Sequence, residues 1–380
     1  MWEIKVIWAS LLCCGISDKT LRFIDVKLKK VGATWQDFWQ QPTMFNFGME
    51  LLSESKLSAI KDFKQRFDIS GYSDYLRGKD VNLLSLEDED YPVLLKYAPD
   101  YPQILYARGQ VSQINKQPLA VVGTRKPTHY GREVVDKLVS ELVATNFTIV
   151  SGFMYGIDTL AQERAVKVGG KTIAFLGYGF DRVYPAYNRG LWQQFLESEQ
   201  GFFSEYPPWQ HGSTYSFPRR NRLVAGSSYG VLVVEAAAKS GSMITAGLAG
   251  DYGREVMAVP GSITSPYSEG TKRLLNDGAT LVSGIDDILN QLAAQLENDN
   301  ISVLASQDQL QQVSQIALTE KWRDCSEFEK QILNLLKEKS LDVDQLSETL
   351  KAPVEKLLST LSILELTDLI TKRESLYALT

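Results

Sequence analysis

The sequence is short of the residues that cross-link chains or ligate metals. Among 380 residues there are three cysteines, two of them adjacent (Cys13 and Cys14), and two histidines, His129 and His211. No Cys-x-x-Cys pair occurs. This argues against a disulfide framework and a structural zinc site, and reduced cysteines fit a cytoplasmic protein. Long apolar runs are missing too. The one candidate for a targeting segment, VIWASLLCCGI from Val6 to Ile16, is too short to cross a bilayer. It lacks a clearly basic leading region and a small-residue cleavage site, and Leu12 precedes Cys13 where a lipid-attachment signal needs a small residue. A buried first helix and no membrane association are expected. Positive charge is scarce as well: 40 Lys and Arg against 46 Asp and Glu leave a net charge of −6. An acidic chain has no general attraction for nucleic acid, so any such role must rest on a local basic patch.

What is present is the balance of an ordinary globular protein, 44% apolar and 23% charged. The length suits about two to three domains. Residues 1–80 show helical spacing in Ile4, Trp8, Leu11 and Leu12 and again in Leu21, Ile24 and Leu28, with Ser17 placed to cap the second helix. They predict a small helical module. A backbone-contacting turn at Gly15–Thr20 and a plain packing module fit that pattern equally. The Pro-, Asp- and Tyr-rich stretch Glu87–Gly109 reads as an extended connector.

Residues 85–290 change character. Short apolar runs recur at Leu119–Val122, Phe147–Val150, Thr172–Leu176, Phe202–Ser204, Val231–Val234, Val256–Val259 and Thr280–Val282, with helical spacing between them. Most are apolar throughout, as in strands buried on both faces. The pattern predicts an α/β domain with a doubly wound parallel sheet. Residues 291–323 are polar and read as a linker with one helix. Residues 324–380 carry three apolar stripes followed by two strand-like pieces, Leu369–Thr371 and Tyr377–Leu379. Three helices and a hairpin make a winged-helix pattern, although the third helix lacks the basic run that duplex binding would use.

Ligands of doubly wound sheets sit beyond the carboxyl ends of the strands. The first strand ends in VVGTRKPTHYG, where Gly123 allows close backbone approach, Arg125 and Lys126 bring charge, and no acid occurs between Asp100 and Glu133. This has the character of a phosphate site, without the spacing of a dinucleotide fingerprint. A second cluster, SFPRRNRLVAGSS, holds Phe217, Arg219, Arg220, Asn221 and Arg222, with no acid between Glu205 and Glu235. Guanidinium forks grip phosphates and rings stack on bases, which suits a single strand. At least one of these arginines is expected to hold a structural carboxylate such as Glu205. Ser240, Gly241 and Ser242 stand at a third strand-to-helix turn. Ser151–Asp158 and Val259–Leu275 form a fourth and a fifth loop. Convergence of five such loops on one sheet edge predicts a concave, positive site. Asp158 and Glu235 are the acids the pattern places nearest to the loop tips; such a pair could hydrolyse a glycosidic bond, but they are expected instead to position arginines.

Taken in order, VVGTRKPTHYG, SGFMYGIDTLAQERAVKVGG, SEYPP, FPRRNRLVAG, VEAAAKSGSMITA, AVPG and NDGATLV resemble the DNA-processing protein A (DprA, or Smf) family over about residues 85–285. The resemblance implies an extended Rossmann domain between a SAM-like helical module and a winged-helix domain. It implies a protein without turnover or cofactor that binds and protects incoming single-stranded DNA and loads RecA recombinase during natural transformation, as a homodimer formed through the Rossmann domain. It carries DNA contacts onto Gly123, Thr124, Arg125, Thr128, Phe217, Arg219, Arg220, Asn221 and Arg222, and onto Ser240, Gly241 and Ser242. Tyr155 stands where the family usually has Arg, Gln162 where it has His, and Lys272 where it has Asn. Two other readings remain: a nucleotide N-glycosidase-like enzyme, and a partner-recruiting scaffold with a vestigial pocket.

Overall fold

The computed structural model describes residues 3–45, 53–298, 322, 325–367, 369–373 and 376–379. The chain divides into two compact units, Met1–Leu310 and Gln311–Thr380.

The first unit begins with five helices: α1 (Ile4–Cys13), α2 (Asp18–Val31), α3 (Trp35–Gln40), α4 (Glu54–Arg66) and α5 (Ile69–Gly78). Ser17 caps α2 by accepting from the Thr20 N–H, and Gly32 ends it with φ +68. Thr34 and Asp37 form a reciprocal capping box on α3. The run expected as a buried first helix is α1, whose Val6, Ile7, Ala9 and Leu11 are buried. These helices do not close a core alone. Their apolar cluster of Ile7, Ile24, Phe38 and Tyr72 continues into Tyr106, Ala174 and Phe202 of the sheet. The buried hydroxyls of Tyr72 and Tyr106 meet at 2.7 Å. The stretch expected as a module of its own therefore packs as one layer on the sheet.

The sheet strands are β1 (Asn82–Leu84), β2 (Leu105–Gly109), β3 (Pro118–Val122), β4 (Thr148–Ser151), β5 (Lys171–Leu176), β6 (Gly201–Ser204), β7 (Gly230–Val233), β8 (Glu255–Ala258) and β9 (Thr280–Leu281). Their order is β1-β2-β6-β5-β4-β3-β7-β8-β9. Strands β3 to β9 pair in parallel. The helices between them are α6 (His129–Ala144), α7 (Ile157–Lys167), α8 (Arg189–Glu197), α9 (Ser216–Gly226), α10 (Gly241–Asp251) and α11 (Glu269–Asn276), with α12 (Ile285–Asn298) after β9. All seven expected strands are present within a residue or two. Alternate residues of β3 enter opposite cores: Leu119 and Val121 join Val135, Leu138 and Ile157, while Ala120 and Val122 join Leu223, Val224 and Ala246. Burial on both faces removes the polar alternation of a half-exposed strand.

The connector differs from its expected form. Its end, β2, pairs antiparallel with β6 and with β1, and so extends the sheet. From β3 the chain builds outward through β4, β5 and β6, then returns to start β7 on the other side of β3. The β3 and β7 ends therefore flank a topological switch point, where such sheets hold ligands.

The second unit holds α13 (Glu327–Glu338), α14 (Val343–Leu350), α15 (Val354–Leu366) and the hairpin β10 (Ile370–Arg373) with β11 (Leu376–Leu379). Its core gathers Ile332, Leu336, Leu346, Leu357, Leu361 and Tyr377, in the expected winged-helix order. Of the expected linker, 291–298 belongs to α12, and 299–321 lies outside the described residues. No helix among the described residues is long and apolar enough to cross a membrane.

Candidate nucleic-acid interface

A cleft of about 440 Å³ opens at the switch point. Four segments line it: Val122–Lys126 after β3, Gly152–Asp158 after β4, the first turns of α9, and Ala237–Thr245 after β7. Of the fifth expected loop only Tyr267 reaches it. The β3 loop is held in place from below. Glu235, buried at 4% exposure, accepts from the Thr128 N–H at 2.9 Å and from the Thr128 hydroxyl at 2.6 Å. Its own carbonyl accepts from the Thr124 N–H at 2.7 Å. Thr128 also caps α6 by accepting from the Gly131 N–H. Its hydroxyl and N–H are thus committed to protein, and it lies behind the cleft. Glu235, expected to hold an arginine, holds this loop.

The segment SFPRRNRLVAG, expected as a loop, is the helix α9. Pro218 is tolerated because it sits in the first turn. Helical periodicity then sorts the basic cluster. Phe217, Arg220, Asn221 and Val224, spaced i, i+3, i+4 and i+7, face the cleft. Arg219 and Arg222 point to the other side, into a groove with Asp18, Arg22 and Asp100. There Arg222 donates to Glu205, its Nε stands 3.2 Å from Asp100 Oδ2, and Arg219 Nε lies 3.8 Å from Glu205 Oε2. The expectation that Glu205 occupies an arginine is met twice.

Arg220 forms the floor. Its guanidinium donates to the carbonyls of Gly152 and Phe175. Asp158 faces it, accepting from the Gly152 N–H at 3.1 Å. Burial pushes the Asp158 carboxyl up to about 6, against the pull of Arg220, the Met154 and Gly152 N–H groups and Arg125. Gly152 has to be glycine: a Cβ there would stand 2.5 Å from Arg220 Nη2 and 2.6 Å from Asp158 Oδ2. At the rim, Arg125 and Lys126 are exposed, and among the described residues neither makes an ion pair. Gly123 and Thr124 line the wall beside them. Opposite, Ser240 caps α10 by accepting from the Ser242 N–H, with Gly241 between them in the first turn. The N-terminal end of α10 turns its dipole toward the cleft as a second anion-favouring edge. Among the described residues no cluster of His, Cys, Asp and Glu could hold a metal.

The profile of the family described as DNA recombination-mediator protein A matches residues 82–293, and that of the DprA winged helix domain matches 323–374. The chain belongs to the DprA family. The DNA processing protein DprA of Bacillus subtilis is 38% identical over 217 residues, 57% of this chain and 73% of that protein. DprA of Streptococcus pneumoniae is 35% identical over 273 residues, 69% of this chain and 95% of that one. The X-ray structure of the Streptococcus pneumoniae protein superposes with a TM-score of 0.64 at 30% identity, covering 76% of this chain and 98% of that chain. A structure of DNA processing protein A from Helicobacter pylori, described for its single-stranded DNA binding mode, superposes with a TM-score of 0.50 at 32% identity, covering 57% and 98%.

The three departures from the pattern that the resemblance implied now have locations. Tyr155 lines the cleft, 41% exposed, so a ring replaces a cation there. Gln162 is fully buried and donates to the Ile173 carbonyl at 3.1 Å; its exchange for His is a matter of core packing. Lys272 is exposed on α11 and is not part of the cleft wall, so it does not replace the missing charge. The apolar wall residues Pro218, Val224 and Ile244 were not singled out from the sequence. The signal for Pro218 and Val224 was the helical spacing within SFPRRNRLVAG; Ile244 lies on α10.

Proposed function

We propose that this DprA-family protein binds single-stranded DNA across the switch-point cleft, as a binder without turnover. One observation carries the reading: Arg125 and Lys126, which make no ion pair among the described residues, flank a cleft floored by Arg220 and walled by Tyr155 and Phe217. Cations without carboxylate partners attract phosphates, and exposed rings stack on unpaired bases whatever their sequence. Gly123, Thr124, Asn221, Ser240, Gly241 and Ser242 add backbone approach and polar contacts. Both oxygens of Glu235 are occupied by Thr128, which leaves no free carboxylate pair for glycoside chemistry. The single-stranded DNA binding mode described for the Helicobacter pylori protein supports the same reading. Family membership extends it to incoming DNA in natural transformation, to loading of a RecA recombinase, and to a homodimer formed through the sheet domain, in the cytoplasm.

A salt titration of binding to single- and double-stranded oligonucleotides of equal length tests this. Tighter single-strand binding, with a log–log slope of about −0.7 per phosphate engaged, is the expected result. Equal or tighter duplex binding rejects the reading, and release of adenine from AMP would point to the enzyme alternative.

A further inference from the structure

We infer that a second hollow beside the cleft receives the next nucleotides of the same strand. The inference rests on the proposed single-strand function and extends its footprint. The hollow, of about 820 Å³, is lined by Tyr178, Arg182, Tyr184, Arg189, His211 and Phe217 among others. It shares a wall with the cleft: Phe217 lines both. That ring is seated between two glycines. A Cβ on Gly177 would stand 2.8 Å from its Cδ1, and one on Gly212 would stand 2.6 Å from its Cζ.

One line of rings crosses from one hollow to the other, and a second pair runs outside it. Phe217 lies 5.3 Å from Tyr184 between centroids, and Tyr155 of the cleft lies 6.5 Å from Tyr187, which is not in the wall of the second hollow. Tyr184 and Tyr187 are 44% and 75% exposed, so the Tyr184 ring of the hollow is open to a base. The charges match. Arg182 and Arg189 are exposed, and among the described residues neither makes an ion pair. The acid at the rim, Asp181, is already engaged by Lys79 at 3.1 Å and by the Tyr75 hydroxyl. Unpaired guanidinium groups alternating with open rings, continuous with a phosphate-binding cleft, are what a flexible polyanion with stacking bases requires. In this arrangement Arg182 and Arg189 each take a phosphate, and Tyr184 stacks a base.

The test is a length series of oligothymidylates with the full chain at one fixed pH. Wild-type affinity rises with length beyond what fills the cleft. In the double variant Arg182→Ala, Arg189→Ala that gain is lost, and the salt slope on long oligonucleotides becomes shallower by about 1.4, two phosphates' worth. The shortest bound oligonucleotide is unaffected. Both arginines are exposed and make no ion pair among the described residues, so circular dichroism and Tm stay at wild-type values. Tyr184→Leu weakens long oligonucleotides without changing the slope. A double variant with wild-type slope and affinity on long oligonucleotides overturns the second hollow and leaves the cleft standing. A wild-type protein that binds no oligothymidylate overturns both.

Discussion

Arg222 donates to Glu205 with both side chains only 7% exposed, on the face of α9 turned away from Arg220. Two arginines of one short basic motif thus take separate duties, one in the cleft floor and the other in the seam with Asp100.

Arg222→Ala is therefore expected to act on stability. Removing one member of a buried ion pair costs about 3–5 kcal/mol, because the abandoned charge stays buried. Burial already raises the Glu205 carboxyl above its usual range, and Arg222 is the main group pulling it back. Without Arg222 it rises further, so the loss shrinks as pH falls and Glu205 takes up a proton. Thermal unfolding between pH 5 and 8 measures this. A variant of unchanged Tm with a shallower salt slope would make Arg222 a strand contact after all.

Arg125→Ala should do the reverse. An exposed, unpaired side chain changes stability by about 0.5 kcal/mol or less, while one lost phosphate contact makes the salt slope shallower by about 0.7. Fluorescence anisotropy at several salt concentrations reads both the weaker binding and the slope.

Acid should strengthen binding in the cleft. Asp158 titrates near 6 in the folded chain against an ordinary value of 3.8. The folded state therefore binds more protons than the unfolded state between those values, and this group's contribution to stability falls as pH rises through that window. Once protonated, it no longer offsets Arg220 and Arg125. Affinity for a short oligonucleotide should increase from pH 7.5 to 5.5, and Asp158→Asn should flatten that increase. A profile identical in the variant would remove Asp158 from the account.

Thr128→Val should lower stability by about 1–3 kcal/mol, since it loses a helix cap and leaves the buried Glu235 short of a donor. Thr128→Ser keeps both hydrogen bonds and should restore both Tm and DNA affinity. Weak binding by the Ser variant at wild-type stability would instead indicate direct DNA contact.

Much of the sheet was legible because burial on both faces writes uninterrupted runs such as Leu119–Val122. The strand Leu105–Gly109 was not, because LYARG is short and follows Pro and Asp residues that signal a turn. In the cleft, Gly123, Arg125 and the Ser240–Ser242 turn were visible from strand-end position alone. Arg219 and Arg222 were grouped with Arg220 because charge density was read without helical phase. Thr128 was read as a ligand contact because the sequence does not show that Glu235, far along the chain, lies beneath it.

The shared core of the first five helices and the sheet bears on where the chain can be cut. The family profile starts at residue 82, yet a fragment begun there would leave the buried Tyr106 hydroxyl without Tyr72 and take the helical share of that apolar cluster away. Such a piece would carry every cleft residue but bare part of the sheet's apolar face, so the smallest fragment for DNA work that keeps this core whole retains the opening helices.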